Sequence, residues 1–314
     1  MATALALADL VKLNDLNDAE IDVTDLLDEA PFLKALAATA ASNGTVHSYL
    51  KETTAPVVGF RAVNVGREES DSEDTEVTAT LKILDASFSC DQALAKGYRK
   101  GSAAFVAREA ARHLKAAMFA FEKQVLNGVI GNGDSGGFVG LRDSLLIANA
   151  MTYNAAGTTA TTGSSLYAVR TGSDMRDLCL VAGGNGATPN IEIGETSTIQ
   201  KTSSGTLTYP AFYTPILAYL GLQLGSAYSI GRIANLTADS TKGLTDAKIA
   251  SLLELFPASR QPNVLVCNRR SLAQLRASRT ATNATGAPAP FPTEAFGIPL
   301  VITDAIGSVE PIIT

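Results

Sequence analysis

The strongest periodicity in the chain lies between residues 101 and 129. Val106, Ala110, Leu114, Met118, Phe121, Val125 and Val129 recur at spacings of three and four, which places them on one stripe of an α-helix. Ser102 stands where an N-cap belongs, and Gly128 and Gly131 mark the stop. At 1.5 Å per residue the predicted rod is about 40 Å long. A period of two governs Val77, Ala79, Leu81 and Ile83, with Thr78, Thr80 and Lys82 on the other face, which predicts a strand. Upstream, Val46 to Leu50 reads as extended, and Val57 to Val65 alternates in part through Phe60 and Val63. The two runs predict a long hairpin. Arg67 to Glu76 falls between them and carries Glu68, Glu69, Asp71, Glu73, Asp74 and Glu76. That many carboxylates are too costly to bury. The hairpin is therefore expected to end in a charged tip that protrudes or meets a basic partner.

Elsewhere the pattern is shorter in range. Residues 1–45 mix acidic and alanine-rich pieces with two short helical patterns, around Thr24 to Leu27 and Pro31 to Leu36. Such a segment cannot bury itself alone. Residues 131–165 form a connection rich in Gly, Ser, Thr and Ala, and 166–243 read as short strands and loops. From 244 to 278 the order is helix, strand, helix. Thr245 caps a helix carrying Ile249, Leu252, Leu253 and Phe256, and Pro257 follows its end. Val264 to Val266 is a short buried strand, and Asn268 caps a second helix carrying Leu272 and Leu275. After a polar loop over 279–295, Ile298 to Thr303 is a last strand. No repeat of fixed period is present.

Composition narrows the function classes. The 314 residues, 46% of them apolar, suffice for one large domain or two closely packed ones. A net charge of −6 argues against a protein that grips nucleic acid by neutralising phosphates. Cys90, Cys179 and Cys267 are far apart and show no zinc-ligand spacing; they read as buried free thiols in a reducing compartment. The first ten residues lack a signal-peptide pattern, and no apolar run approaches the ~20 residues of a membrane span. A cytosolic, soluble product is expected.

Three motifs invite a catalytic reading that their context refuses. Gly133-Asp134-Ser135-Gly136-Gly137 spells the surroundings of a serine protease nucleophile, but that serine needs a histidine base held by a carboxylate. Only His47 and His113 exist, one before the hairpin and one inside the long helix. Gly131, Gly133 and Gly136 satisfy GxGxxG, yet they follow a helix where a phosphate cradle follows a strand. The acidic run lacks the spacing and central glycine of a calcium loop. No catalytic residue, cofactor or metal is assigned. The remaining feature is a basic stripe on the long helix, Arg108, Arg112 and Lys115 beside His113. Its charge is opposite to that of the acidic run.

The order of elements and several stretches of sequence resemble the major capsid proteins of tailed bacteriophages. The stretches are Phe121 to Gly128, Gly231 to Leu236, Asn268 to Leu272 and Pro292 to Pro299. The resemblance covers essentially the whole chain. It implies an α+β fold, the one named after phage Hong Kong ninety-seven. Residues 1–45 would be an N-terminal arm and 46–95 an extended loop lying over a neighbouring subunit. Residues 96–165 would form a peripheral domain around the spine helix 101–129. Residues 166–314 would form an axial domain with strands returning to the peripheral domain. The implied function is structural and not enzymatic: a subunit that assembles with itself into hexamers and pentamers of an icosahedral shell around a double-stranded DNA genome, without reading its sequence. The expected place is the virion capsid, assembled in the bacterial cytoplasm and away from any membrane. Some relatives begin with a scaffolding segment of about a hundred residues. This chain leaves no room for one, so a separate scaffolding protein is expected, with a portal and possible decoration proteins. Some relatives also link a loop lysine to a neighbour's asparagine; here Lys51 and Lys82 sit towards the hairpin base, and no cross-link is expected. The subunit contact anticipated is the acidic run, Glu68, Glu69, Asp71, Glu73, Asp74 and Glu76, on Arg108, Arg112 and Lys115 of an adjacent copy. The alternatives are a bacterial encapsulin shell of the same fold and, from another class, a hydrolase using Ser135.

Overall fold

The computed structural model describes residues 5–6, 26–54, 57–68, 71–130, 133–184, 191–204, 206–283 and 287–313. Among them are six α-helices: α1 (Pro31–Ala35), α2 (Gln92–Lys96), α3 (Ser102–Asn127), α4 (Leu141–Ser144), α5 (Asp246–Leu253) and α6 (Arg269–Ala281). The apolar stripe of the long helix corresponds to burial: Val106, Ala110, Leu114, Met118, Phe121 and Val125 of α3 are all buried.

The ends of α3 differ from those the sequence predicts. Its N-cap is Gly101, at φ 92°, and Ser102 is the first helical residue. The Gly101 carbonyl accepts the Phe105 N–H at 3.3 Å. The helix stops at Gly128, so Val129 lies beyond it and is exposed. Gly128 has φ 64°, and a Cβ there would lie 2.0 Å from Asp143 Oδ2. That carboxylate instead accepts the N–H of Val129 at 2.6 Å and of Ile130 at 3.0 Å. The glycine is required by the left-handed turn and by the close approach of Asp143.

One sheet runs in the order β1 (Leu5–Ala6), β2 (Ala37–Ala40), β9 (Leu178–Gly183), β13 (Ile216–Leu224), β10 (Glu192–Ile193), with β5 (Lys82–Asp85) also on β13. A second runs β16 (Glu294–Ala295), β17 (Ile298–Ile302), β15 (Val264–Cys267), β8 (Ser164–Val169), β14 (Ile230–Leu236), β7 (Thr152–Asn154). Strands β8, β14 and β15 are buried at every position, as expected for strands covered on both faces. The helix–strand–helix expected over 244–278 is α5, β15 and α6. Thr245 accepts Lys248 N–H at 3.4 Å and Asn268 accepts Ser271 N–H at 2.8 Å, so both predicted caps form. A third sheet joins β11 (Ser197–Ser204), β12 (Leu207–Thr214) and β6 (Phe88–Asp91). The fourth is a hairpin of β3 (Val46–Thr54) and β4 (Glu73–Thr80).

The strand predicted from Val77 through Ile83 is broken at Leu81. β4 ends at Thr80 and β5 starts at Lys82. The Leu81 N–H turns to the Thr45 carbonyl at 2.9 Å, and its side chain is buried. The Cδ1 and Cδ2 atoms stand where Cβ atoms at Gly183 and Gly221 would be, at 2.4 and 2.6 Å. Leu81 therefore plugs a two-glycine hollow in the β9–β13 pair and roots the hairpin there. The break shifts the phase of the alternation, which leaves Ile83 exposed and Leu84 half-buried.

Glu122 fastens three parts of the chain together. Its Oε2 accepts the N–H groups of Phe32 at 2.8 Å and Leu33 at 3.2 Å, and its Oε1 accepts the Thr303 hydroxyl. Asn127 adds a bond to the Ala305 carbonyl at 2.9 Å. A second buried group centres on Arg232. It donates to Ser165 Oγ at 2.9 and 3.0 Å and to the Leu145 carbonyl at 3.0 Å, and pairs with Glu310 at 3.4 Å. Cys179 and Cys267 are buried thiols, as expected, whereas Cys90 is half-buried. Burial pushes the Cys179 thiol up to about 11 and that of Cys267 up to about 12.

Candidate functional site

The hairpin β3–β4 carries the features the sequence singled out, but in a different arrangement. Val57 to Val65 forms no strand. Gly59 and Gly66 weaken any ladder there. Asn64 takes φ 65°, and Val65 N–H bonds the Ala62 carbonyl at 3.3 Å, closing a turn. The Arg67 guanidinium donates to the Val57 carbonyl and folds the segment on itself. The acidic residues are divided between the strand and the connecting loop. Glu73, Asp74 and Glu76 lie on β4, paired in the ladder with Thr54, Glu52 and Leu50. Glu68 and Asp71 lie in the connecting loop, and all five are exposed. Glu69 is outside the described residues.

The loop also carries an apolar cluster that the charge pattern does not predict. Val57, Val58, Val63 and Val65 are exposed, and Phe60 is fully so. Alternation alone predicts a strand here and gives no hint of this exposure. The signal available in the sequence is the pair of flanking glycines. Exposed apolar residues are ordinarily scattered, whereas here five fall within nine positions.

The basic stripe lies on α3. Arg112 and Arg108 both reach Glu109, at 2.9 and 3.3 Å. The Arg108 guanidinium also lies over the rings of Tyr98 and Phe105, 4.8 and 5.2 Å from their centres. Lys115 is half-buried on the same helix. Glu109, which the stripe read from sequence leaves out, thus offsets part of its charge.

A cavity of about 620 Å³ opens between β5, the C-terminal half of α3 and the glycine-rich turn after it. Ile83, Leu84, Ala120, Phe121, Phe138 and Leu220 supply apolar walls, with Lys82 and Lys123 beside them. Gln124 shapes the turn: it donates to the Phe138 carbonyl at 2.7 Å and accepts Asp134 N–H at 2.6 Å. Lys82, Gly137 and Phe138 also line a second hollow at the hairpin root, with Tyr49, Val77 and Leu222. Among the described residues Lys82 and Lys123 form no ion pair.

Ser135 lies on the exposed rim of this cavity, and no histidine is among the described lining residues. His47 bonds Gln223 at 2.7 Å, and His113 stacks on Phe88 at 4.8 Å. The structure does not bring the three together as a nucleophile and base. Among the described residues no group of three His, Cys, Asp or Glu could hold a metal ion. No described helix is long and apolar enough to cross a membrane.

A family model described as "Major capsid protein GP7" matches residues 15–311. Among solved structures the chain is similar to one from a near-atomic structure of bacteriophage Epsilon15, at 19% identity and TM-score 0.61, covering 100% of this chain and 93% of that one. It is also similar to the bacteriophage JBD30 capsid, at 13% identity and TM-score 0.50, covering 97% and 99%. A JBD30 capsid decorated with minor capsid protein trimers gives 16% identity and TM-score 0.51, covering 86% and 89%. These likenesses show the fold, the α+β arrangement of the tailed-phage capsids. No curated protein matches the chain.

Proposed function

The chain belongs to the major capsid protein GP7 family, and from that premise we propose how it builds its shell. It is a major capsid protein, a structural subunit that works by binding copies of itself. The family match over residues 15–311 carries this conclusion. The surface agrees with it: a projecting hairpin with an apolar cluster in its loop and an open cavity of matching character are what heterologous, ring-forming contacts require.

In this reading the subunits form hexamers and pentamers that close an icosahedral shell around double-stranded DNA. Weak contacts suffice, since apolar burial at ~25 cal/mol per Å² accumulates over many interfaces. The net charge of −6 suits a wall that does not adhere to its contents. The chain divides into arm, extended loop, peripheral and axial parts, with the hairpin as the element laid over a neighbour. The hairpin's exposed ladder and the apolar cluster in its loop support that division. Its acidic strand then meets basic residues there, Arg108, Arg112 and Lys115 among them. Exposed pairs contribute ~0–1 kcal/mol each, so they set register more than affinity. A separate scaffolding protein, a portal and outer decoration proteins complete the assembly in the host cytoplasm.

The test is electron microscopy of the purified protein, expressed alone and with its genomic neighbours. Closed shells, or rings of five and six, are expected. A uniform monomer or dimer under both conditions would overturn the reading. DNA inside the particles distinguishes a phage capsid from an encapsulin shell loaded with protein.

A further inference from the structure

We propose that one face of the second sheet carries an internal water-binding site between Arg142, Tyr167 and Glu310, and that water bound there ties α4 to the C-terminal segment.

Register brings the groups together. Arg232 on β14 pairs with Thr152 of β7 on one side and with Tyr167 of β8 on the other. Directly paired residues point to the same face of a sheet, so the three side chains stand in a row. Ser165, two residues before Tyr167, shares that face. α4 and the C-terminal segment cover the row. The Leu145 carbonyl at the end of α4 accepts Arg232 Nη1 at 3.0 Å, and Glu310 accepts Ser165 Oγ at 2.7 Å. Arg142, on α4 itself, is near enough for its charge to act on the Tyr167 hydroxyl, as do the charges of Arg232 and Glu310. Arg142 is 5% exposed, Glu310 2% and Tyr167 1%.

The polar atoms here are not satisfied by one another. Among the described residues, seven buried side-chain atoms have no hydrogen-bond partner in the protein, and four of them are Arg142 Nη1, Thr152 Oγ1, Tyr167 OH and Glu310 Oε1. Folded proteins leave few such atoms, and those they leave are where buried water binds. Ser165 has no capacity left for Tyr167. Its hydroxyl gives its proton to Glu310 Oε2 and accepts twice from Arg232, which fills its donor and both lone pairs.

The chemistry of the four atoms selects the ligand. Arg142 Nη1 only donates, and the ionised Glu310 Oε1 only accepts. A halide gives no proton to the carboxylate and is repelled by it. A metal cation accepts nothing from a guanidinium and is repelled by two of them. Water accepts from Arg142 and donates to Glu310, and the hydroxyls of Thr152 and Tyr167 take either part. The link has a structural consequence. Asp143, next to Arg142, holds the Val129 and Ile130 N–H groups after α3, so the water joins the end of the spine helix to the chain's last segment.

The sign of one stability change tests this on the unassembled subunit, independently of shell formation. If water is bound, Tyr167→Phe deletes a hydrogen bond, and the melting temperature should fall by about 2 °C or more. If the hydroxyl binds nothing, the same change removes a buried unsatisfied group, and the melting temperature should hold or rise. That result would overturn the proposal. A high-resolution density map of the subunit should show water ~2.8 Å from Arg142 Nη1 and from Glu310 Oε1; a direct Arg142–Glu310 ion pair in their place would overturn it too. Melting in potassium chloride and in potassium gluconate at equal ionic strength should coincide. Stabilisation specific to chloride, absent from Arg142→Met, would assign the site to an anion and defeat the water reading.

Discussion

The Glu122 carboxylate accepts the Phe32 backbone N–H at 2.8 Å, across 90 residues of sequence. α1 has five residues and Ala30 at its N-cap, so it has no side-chain cap of its own. A helix that short is not stable alone. Glu122 supplies from the spine helix the acceptor that a local Ser or Asp would give. The same carboxylate receives Thr303 at the end of β17, so one side chain joins the N-terminal region, the spine helix and the second sheet.

Glu122→Ala removes the acceptor from two buried N–H groups and one hydroxyl. Each unsatisfied buried group costs ~1–3 kcal/mol, so a loss of about 3 kcal/mol or more is expected from urea unfolding of the subunit. Glu122→Gln keeps an acceptor for the N–H groups and offers a donor to Thr303. It should lose far less than the alanine variant. Equal losses would show that the cap geometry is unimportant.

The same group sets a pH dependence. Burial, opposed by the Thr303, Leu33 and Phe32 bonds, raises the Glu122 pKa above its usual 4.5. The folded state therefore holds this proton more tightly than the unfolded state. The stability linked to that proton is complete below pH 4.5 and is lost as pH rises through the higher folded value. The stability of Glu122→Gln relative to wild type should accordingly improve as pH is raised from about 4 to about 7. A difference that stays flat over that range would refute the linkage.

Much of this is legible in the sequence because it is local. The α3 stripe and the caps at Thr245 and Asn268 depend on residues a few positions apart. The charge of the acidic run is also legible, but its place is not. Alternation predicts a strand at Val57 to Val65 and a charged tip, whereas Glu73, Asp74 and Glu76 sit on the ladder and Val57 to Val65 shares the connecting loop with Glu68 and Asp71. Alternation records spacing, not burial, and no local rule says which face will be covered. The roles of Leu81 and Glu122 arise from contacts across the fold, which periodicity does not encode.

Leu81 is expected to anchor the whole hairpin. Leu81→Ala empties the hollow over Gly183 and Gly221 and should cost about 2–5 kcal/mol. It should also speed proteolysis between residues 46 and 80 in the unassembled subunit, because the root is freed. Gly183→Ala should be worse tolerated than Gly221→Ala. Its new Cβ would lie 2.1 Å from the Gly44 carbonyl oxygen, a backbone atom, whereas at Gly221 the nearest obstacle is the Leu81 side chain. Limited proteolysis and thermal melts rank the three.

The hairpin's charge gives an assembly prediction. Replacing Glu73, Asp74 and Glu76 together with lysine reverses the sign of β4. Shell yield should fall at physiological salt, and the defect should shrink near 1 M salt, where the screening length drops to ~3 Å. Unchanged assembly at low and physiological salt would remove the acidic strand from the contact. The hairpin also lacks a lysine at its tip, so wild-type shells boiled in denaturant should release monomers. A ladder of covalent oligomers would mean that Lys51 or Lys82 is linked to a neighbour.

Arg232 and Glu310 make the last case, because the penalty lies in separating them. Both are buried, and Glu310 also accepts Ser165 Oγ at 2.7 Å. Its backbone N–H bonds the Gly163 carbonyl at 2.9 Å, which ties the chain's last segment to the start of β8. Glu310→Ala leaves the Arg232 charge uncompensated in the core, where removing one partner costs ~3–5 kcal/mol. Arg232→Met with Glu310→Leu removes both charges and should recover most of that loss, since a well-packed apolar pair replaces a buried ion pair at little net cost. The single and the double variant are compared with the wild type by urea unfolding of the subunit. If Glu310→Ala were as stable as the wild type, the ion pair would contribute nothing to holding the C-terminal segment. If the double variant were as unstable as the single, packing around Ser165 would govern the stability of this region, and the charge would not.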